Sequence, residues 1–216
     1  MEGSVHIFRQ VLSPAIVKSL LNDLASLGAD AHPKGPFSNH LSPVVACSCR
    51  LCTPEVLQTL GDPMEPCPES ISIALSVVRG LLGSNPETHC INRLTTGTQH
   101  LHHIDGDESW WKFIIVLNRP RRGGMLSIAR RCELCSCLND GRCVPHQPIE
   151  IDLDPGDAYG IWSGRVCHGV GTVRDGMRAT WALRYTRPPA AIQELMESRR
   201  CSRVEVVRIL PRFERD

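Results

Sequence analysis

A chain of 216 residues, 42% of them hydrophobic, is long enough for one domain with a real core and too short to divide comfortably into two. Its 24 Lys+Arg against 23 Asp+Glu leave a formal net charge of +1, which gives no general attraction to nucleic acid or an anionic membrane. No apolar run approaches spanning length and Met1–Val5 has no basic n-region, so the expectation is a soluble, intracellular, cytoplasmic protein with no membrane partner.

Ser13-Pro14 reads as an N-cap followed by proline at the first helical position. Val17, Leu20, Leu21, Leu24 and Leu27 then fall on one helical face, and Gly28 can end the helix. Residues 29–46 are rich in Pro, Gly, His and Ser and read as loop. A second amphipathic helix is expected from about Glu69 to Leu82, with Ile71, Leu75, Val78 and Leu82 inward. Beyond Pro86 the texture changes to short β-type runs at His89–Leu94, Lys112–Leu117, Met125–Ile128, Ile149–Leu153, Ala158–Trp162 and Arg178–Tyr185. Turn residues such as Asp154-Pro155-Gly156-Asp157 separate them. A final helix near Ala190–Arg199 and a strand at Val204–Ile209 close the chain.

Helices followed by seven or eight short strands suggest a mainly β fold with flanking helices. The core expected is a double-stranded β-helix of the jelly-roll or cupin-like kind. One domain would cover residues 1–216, with helical support and loops over 1–88, the β core over 89–187 and a helix and strand over 188–216.

The chemistry centres on His103-Ile104-Asp105. In an extended chain side chains alternate, so His103 and Asp105 share a face while Ile104 turns away. One imidazole and one carboxylate at a strand end supply two adjacent corners of an octahedron, and His168 from a later strand would supply a third. Two neutral nitrogens and one carboxylate form a facial triad with three open positions. Alone, such a tripeptide is as well read as a solvated loop pair. Arg178, ten residues after His168, changes the balance. It shares a strand face with Thr180, opposite Ala179 and Trp181, and its fork matches a carboxylate that a neighbouring hydroxyl can also contact. That combination suits a dicarboxylic acid chelating the metal at one end and anchored in protein at the other.

On these residues the chain resembles the 2-oxoglutarate/iron(II)-dependent dioxygenase superfamily, nearest to its prolyl-hydroxylase-like branch. The resemblance spans roughly residues 6 to 187 and includes Phe8-Arg9-Gln10-Val11-Leu12-Ser13-Pro14, Asn92-Arg93-Leu94-Thr95-Thr96-Gly97 and Gly123-Gly124-Met125-Leu126. It continues through Leu153-Asp154-Pro155-Gly156-Asp157-Ala158 to Val173, Gly176 and Arg178. Each piece is loose, whereas their order and spacing are specific. The resemblance implies iron held by His103, Asp105 and His168, the distal carboxylate of 2-oxoglutarate on Arg178 with Thr180 assisting, and a polar contact from Asn92. Leu94 stands where the family often has Tyr, so that contact is missing. Asp105, being a carboxylate, disfavours the halogenase variant. The implied reaction uses Fe(II), 2-oxoglutarate and O2, with ascorbate as an accessory reductant. It hydroxylates an unactivated C–H bond and yields succinate and CO2.

Other residues have plainer readings beside functional ones. His102 should face away from the metal, with His100 near it, and Arg184 is expected in a structural ion pair at the far strand end. Trp110, Trp111 and Trp162 could wall a substrate pocket or simply pack. Eleven cysteines in a reducing compartment are not a disulfide framework. Cys47-x-Cys49-x2-Cys52 and Cys132-x2-Cys135-x-Cys137 each hold a C-x2-C pair, with Cys143 and His146 nearby. A structural zinc on Cys49, Cys52, Cys132 and Cys135 is one reading, unligated thiols the other, with a redox switch a lesser third. Arg119, Arg121, Arg122, Arg130 and Arg131 form a basic cluster that is a solvated face or a steering surface for an anion or a nucleic-acid backbone. The favoured substrate is a small molecule or an amino-acid side chain. The second reading is oxidation of a methyl group on a nucleic-acid base, as in the TET/J-binding and AlkB-type branches, and the third is a catalytically silent metal-binding module.

Overall fold

The computed structural model describes residues 4–26, 44–46, 69–105, 111–129, 148–198 and 204–208. Helix α1 (Pro14–Ser26) begins at the expected cap, where the Ile16 amide donates to the Ser13 hydroxyl at 3.4 Å. Gly28, its expected end, lies outside the described residues. Helix α2 (Glu69–Leu82) buries Ile71, Leu75, Val78 and Leu82 as its periodicity demands, with Ala74 among them. Helix α3 (Ala190–Ser198) packs beside α2. No described helix is long and apolar enough to cross a membrane.

These helices lie on one face of a seven-stranded sheet. Its order is β13 (Val204–Arg208), β1 (Ser4–Phe8), β9 (Ala158–Trp162), β5 (Trp111–Asn118), β12 (Met177–Tyr185), β3 (Thr88–Thr95) and β2 (Val44–Ala46). A four-stranded sheet of β4 (His100–His103), β10 (Cys167–Val170), β7 (Leu126–Ala129) and β8 (Ile149–Ile151) faces it. β6 (Arg122–Gly123) and β11 (Val173–Asp175) form a small separate pair. Neighbouring strands run antiparallel throughout, giving a jelly-roll sandwich buttressed by helices.

Strand alternation assigns side chains to two cores. Phe113, Ile115 and Leu117 of β5 join Ala179, Trp181 and Leu183 of β12 in the core under the helices. Ile114 and Val116 turn the other way and meet Leu126, Ile128, Tyr159 and Ile161 between the sheets. Because β5 is apolar on both faces, it forms the centre of the large sheet. Trp111 stacks on Phe113 with ring centroids 5.8 Å apart, inside the helix-side core, and Trp162 packs against that core. The pocket-wall reading of both tryptophans is therefore replaced by packing, and Trp110 lies outside the described residues.

Several strands differ from expectation, among them the short β6–β11 pair, which no expected run covered. Ser4–Phe8 pairs with both β13 and β9, although its sequence carries no strong strand signal. Val44–Ala46, read as the end of a loop, adds an edge strand beside β3. β8 stops at Ile151, short of the expected Leu153. The Asp154–Asp157 turn is as expected, and it is tied down: Asp157 accepts from Arg9 Nη1 at 2.7 Å and from the amides of Gln10 and Asp154. These bonds fix the end of β1 against the start of β9.

Candidate metal centre

His103 ends β4 and Asp105 follows it across Ile104, which is buried as alternation requires. His168 lies on β10 directly opposite His103 in the β4–β10 register. One ligand atom from each of the three lies within 4.8 Å of the others. His103 Nε2 is 3.8 Å from Asp105 Oδ1, and His168 Nε2 is 3.8 Å from Asp105 Oδ2. A single divalent ion fits such a set of donors.

The imidazoles are oriented by backbone carbonyls. His103 Nδ1 sits 2.8 Å from the Leu101 carbonyl oxygen and His168 Nδ1 sits 2.9 Å from that of Val166. A carbonyl can only accept, so each Nδ1 carries the proton and each Nε2 presents a lone pair to its partners. Burial pushes the His168 imidazole down to about 3, with the charge of His103 adding to it, so neutral pH leaves His168 ready to ligate. Burial alone would raise the Asp105 carboxyl. The charges of His168 and Lys112, the Lys112 hydrogen bond and the charge of His103 outweigh it and hold Asp105 well below the usual carboxylate range.

The close approach of β10 to β4 depends on Gly169. A Cβ there would meet the His100 carbonyl oxygen at 2.8 Å and the His102 amide nitrogen at 3.1 Å. The pairing shifts register between His168 and Val170, a bulge that aims His168 at its partners. His102 faces away from the triad, as expected, and sits 2.8 Å from the Ser127 hydroxyl on its Nε2 side.

Arg178 and Thr180 occupy the inner face of β12, and Ala179 and Trp181 the helix-side face, as alternation predicts. Thr180 is opposite Asn92 across the β12–β3 pair, so the three expected co-substrate residues share one region. Arg178 is buried, and its Nη1 donates to the Gly124 carbonyl at 3.0 Å. Its Nε and Nη2 have no hydrogen-bond partner among the described residues. Gly124 offers that carbonyl from φ +69°, with Pro120 2.8 Å from where a Cβ would stand. Burial pushes the Arg178 guanidinium down, and the neighbouring Tyr159 phenol opposes that fall. Leu94 lies opposite Arg178 in register and joins Val170 and Val173 in a small apolar cluster.

Two side chains escaped the sequence reading. Lys112 Nζ donates to Asp105 Oδ2 at 2.5 Å, and Tyr159 sits within electrostatic reach of both Arg178 and Asp105. A lysine inside an otherwise apolar strand was the available signal for the first. Nothing local marked the second, whose partner lies on another strand.

The remaining expectations divide. Arg119 bridges Asp152 and Asp154 at 2.6 and 2.8 Å, and Arg121 pairs with Asp175 at 2.9 Å, so these members of the basic cluster are engaged in intramolecular ion pairs. Arg184 is exposed, opposite Lys112 at the far end of β12. Cys49, Cys52, Cys132 and Cys135 lie outside the described residues, as do Arg130 and Arg131.

No family model and no curated protein matches the sequence. Solved structures match the fold. One is the viral collagen prolyl hydroxylase vCPH from Paramecium Bursaria Chlorella virus-1, in a 2OG complex, with TM-score 0.55 and 16% identity over 83% of this chain and 94% of that one. A prolyl-4-hydroxylase from Pseudomonas putida gives 0.51 and 14%, covering 87% and 94%. The non-heme alpha ketoglutarate dependent epimerase SnoN from nogalamycin biosynthesis gives 0.52 and 18%, covering 85% and 78%. At these identities the likeness establishes the fold: an antiparallel jelly-roll shared with the two hydroxylases over 83% and 87% of this chain.

Proposed function

We propose that this chain is a non-haem iron(II), 2-oxoglutarate-dependent oxygenase that hydroxylates an unactivated C–H bond of a small molecule or an amino-acid side chain. The observation that carries the reading is the convergence of His103, Asp105 and His168 within 4.8 Å, with both Nε2 atoms freed by backbone carbonyls. Two nitrogens and one carboxylate suit iron(II) and leave three positions open. Arg178 selects the co-substrate. A buried guanidinium with Nε and Nη2 unpartnered among the described residues is costly, and a bidentate carboxylate relieves that cost.

Iron bound there would couple the decarboxylation of 2-oxoglutarate to the insertion of one oxygen atom of O2 into a C–H bond, releasing succinate and CO2. The protein's own residues do the rest. His103, Asp105 and His168 would hold the metal, Arg178 with Thr180 and Asn92 would fix the distal carboxylate, and the cluster of Leu94, Val170 and Val173 keeps water from that end. The names of the two hydroxylase neighbours favour an amino-acid side chain as substrate, and the epimerase's pathway favours a small molecule. The ion pairs of Arg119 and Arg121 weaken the nucleic-acid reading.

The test is succinate formation by iron(II)-loaded protein with 2-oxoglutarate, screened against pools of peptides and small molecules. Methylated oligonucleotide in a parallel arm, read by mass spectrometry for an oxidised base, separates the nucleic-acid reading. Metal binding without succinate in any arm would leave the silent module and sink the oxygenase.

A further inference from the structure

Lys112 stands on the inner face of β5 beside Ile114 and Val116, where an ammonium group needs a partner. Its register neighbours are Ile161 on β9 and Arg184 on β12, neither of which can accept a hydrogen bond from it through a side chain. Its side chain is 12% exposed, and its Nζ meets Asp105 Oδ2 at 2.5 Å. The backbone of Asp105 is fixed separately, by an amide that donates to the Ser163 carbonyl at 3.0 Å. The terminal torsion of a carboxylate is broad and two-fold by itself. The Lys112 bond therefore sets the rotation of the Asp105 carboxylate.

We propose that Lys112 is a positioning residue for the metal centre: by holding Asp105 Oδ2 it makes the carboxylate a one-oxygen ligand. This rests on the iron and 2-oxoglutarate reading given above. The count of coordination positions gives the bond its consequence. On a metal held there, two imidazoles and one carboxylate oxygen would leave the remaining positions open for a chelating 2-oxo acid and for oxygen. A carboxylate free to rotate can bind through both oxygens and occupy a fourth position. Chelation and oxygen access would then compete. Lys112 thus protects the vacancy that the chemistry needs, and its positive charge offsets that of the carboxylate before metal arrives.

The experiment uses the full chain, freed of metal and titrated with cobalt(II), whose visible absorption reports coordination without turnover. A second titration adds 2-oxoglutarate. The parent protein should bind cobalt and change its spectrum with 2-oxoglutarate. Lys112→Met should still bind cobalt but with an altered visible band, and its dissociation constant for 2-oxoglutarate should rise about tenfold or more. Lys112→Arg, which keeps a charged donor, should recover much of both. Lys112→Gln is read in the same way if the methionine variant does not fold, with thermal melting as the check. A Lys112→Met or Lys112→Gln protein with the parent spectrum and parent 2-oxoglutarate affinity would overturn the role of Lys112 while leaving the metal site standing. A parent protein that takes up no cobalt would overturn the metal site and this role with it.

Discussion

Arg178 is buried, donates to the Gly124 carbonyl and lies beside the Tyr159 phenol, while its Nε and Nη2 reach no hydrogen-bond partner among the described residues. A charge-assisted pair of bonds from such a group is worth about 1.5–3 kcal/mol, so Arg178→Ala should raise the 2-oxoglutarate requirement roughly 10- to 150-fold. Lysine at that position should recover only part, being a point charge without the fork. Arg184→Ala, exposed at the far strand end, should change the requirement little; the opposite result would show the strand register to be wrong. Replacing His103 or Asp105 with Ala should abolish succinate formation; His103→Ala should leave the fold intact, whereas Asp105→Ala also strips Lys112 of its partner and should lower the melting temperature. Undiminished turnover in either variant would contradict the metal assignment. The triad and Arg178 were legible in the sequence because each belongs to a short pattern: a one-residue spacing in His103-Ile104-Asp105, and a ten-residue step from His168 to Arg178. Lys112 and Tyr159 were not, since each acquires its meaning from a residue outside its own strand, Asp105 just past the end of β4 in one case and Arg178 on β12 in the other.

At the scale of elements, the candidate metal centre is organised by the β4–β10 pair, whose close approach requires Gly169. Any side chain at this position drives into backbone atoms of His100 and His102, which cannot swing aside as a flexible side chain would. Gly169→Ala should therefore push β10 off β4, separate His168 from His103 and weaken metal binding far more than it lowers the melting temperature. Cobalt titration beside a thermal melt measures both, and equal metal affinity in the variant would count against this account. The helices were legible because caps and 3.6-residue periodicity are local: Ser13 and Pro14 start α1, and Ile71, Leu75, Val78 and Leu82 define α2. β5 and β12 could be found from their apolar content. Strand β4 reads His-Leu-His-His and has no apolar alternation, and Ser4–Phe8 and Val44–Ala46 are short segments stabilised by neighbours far away in sequence. Pairing partners decide such strands, and one sequence does not display them.

The whole molecule should be acid-sensitive in a window set by buried imidazoles. Burial pushes His6 down to about 4 and His168 to about 3, and it lowers His102 as well. In the unfolded chain each would titrate near ~6.5. A depressed folded-state value means that protons bind the unfolded chain first, so the stability these groups contribute is complete above ~6.5 and is lost as pH falls toward about 4. Asp105, held below the usual carboxylate range, has the same sign but a lower window, because its unfolded form protonates only near ~3.9. The slope between pH 6.5 and 4 therefore belongs mainly to the histidines, and His6 is the one outside the candidate metal site, on β1 of the large sheet. His6→Gln should flatten that part of the curve, whether or not metal is present. Metal would act in the same direction on His168, since an ion at its Nε2 also excludes the proton, and it adds stability of its own. Loading at about 100 times its dissociation constant adds about 2.7 kcal/mol, or about 5–10 °C in midpoint for a chain of this size. That gain should shrink as pH falls and protons compete for the ligands. Thermal melts of the metal-free and cobalt-loaded protein at pH 7.5, 6.0 and 4.5 measure both effects. A midpoint for the metal-free protein that stays level from 7.5 to 4.5 would show that His6 and His168 are not held neutral in the fold.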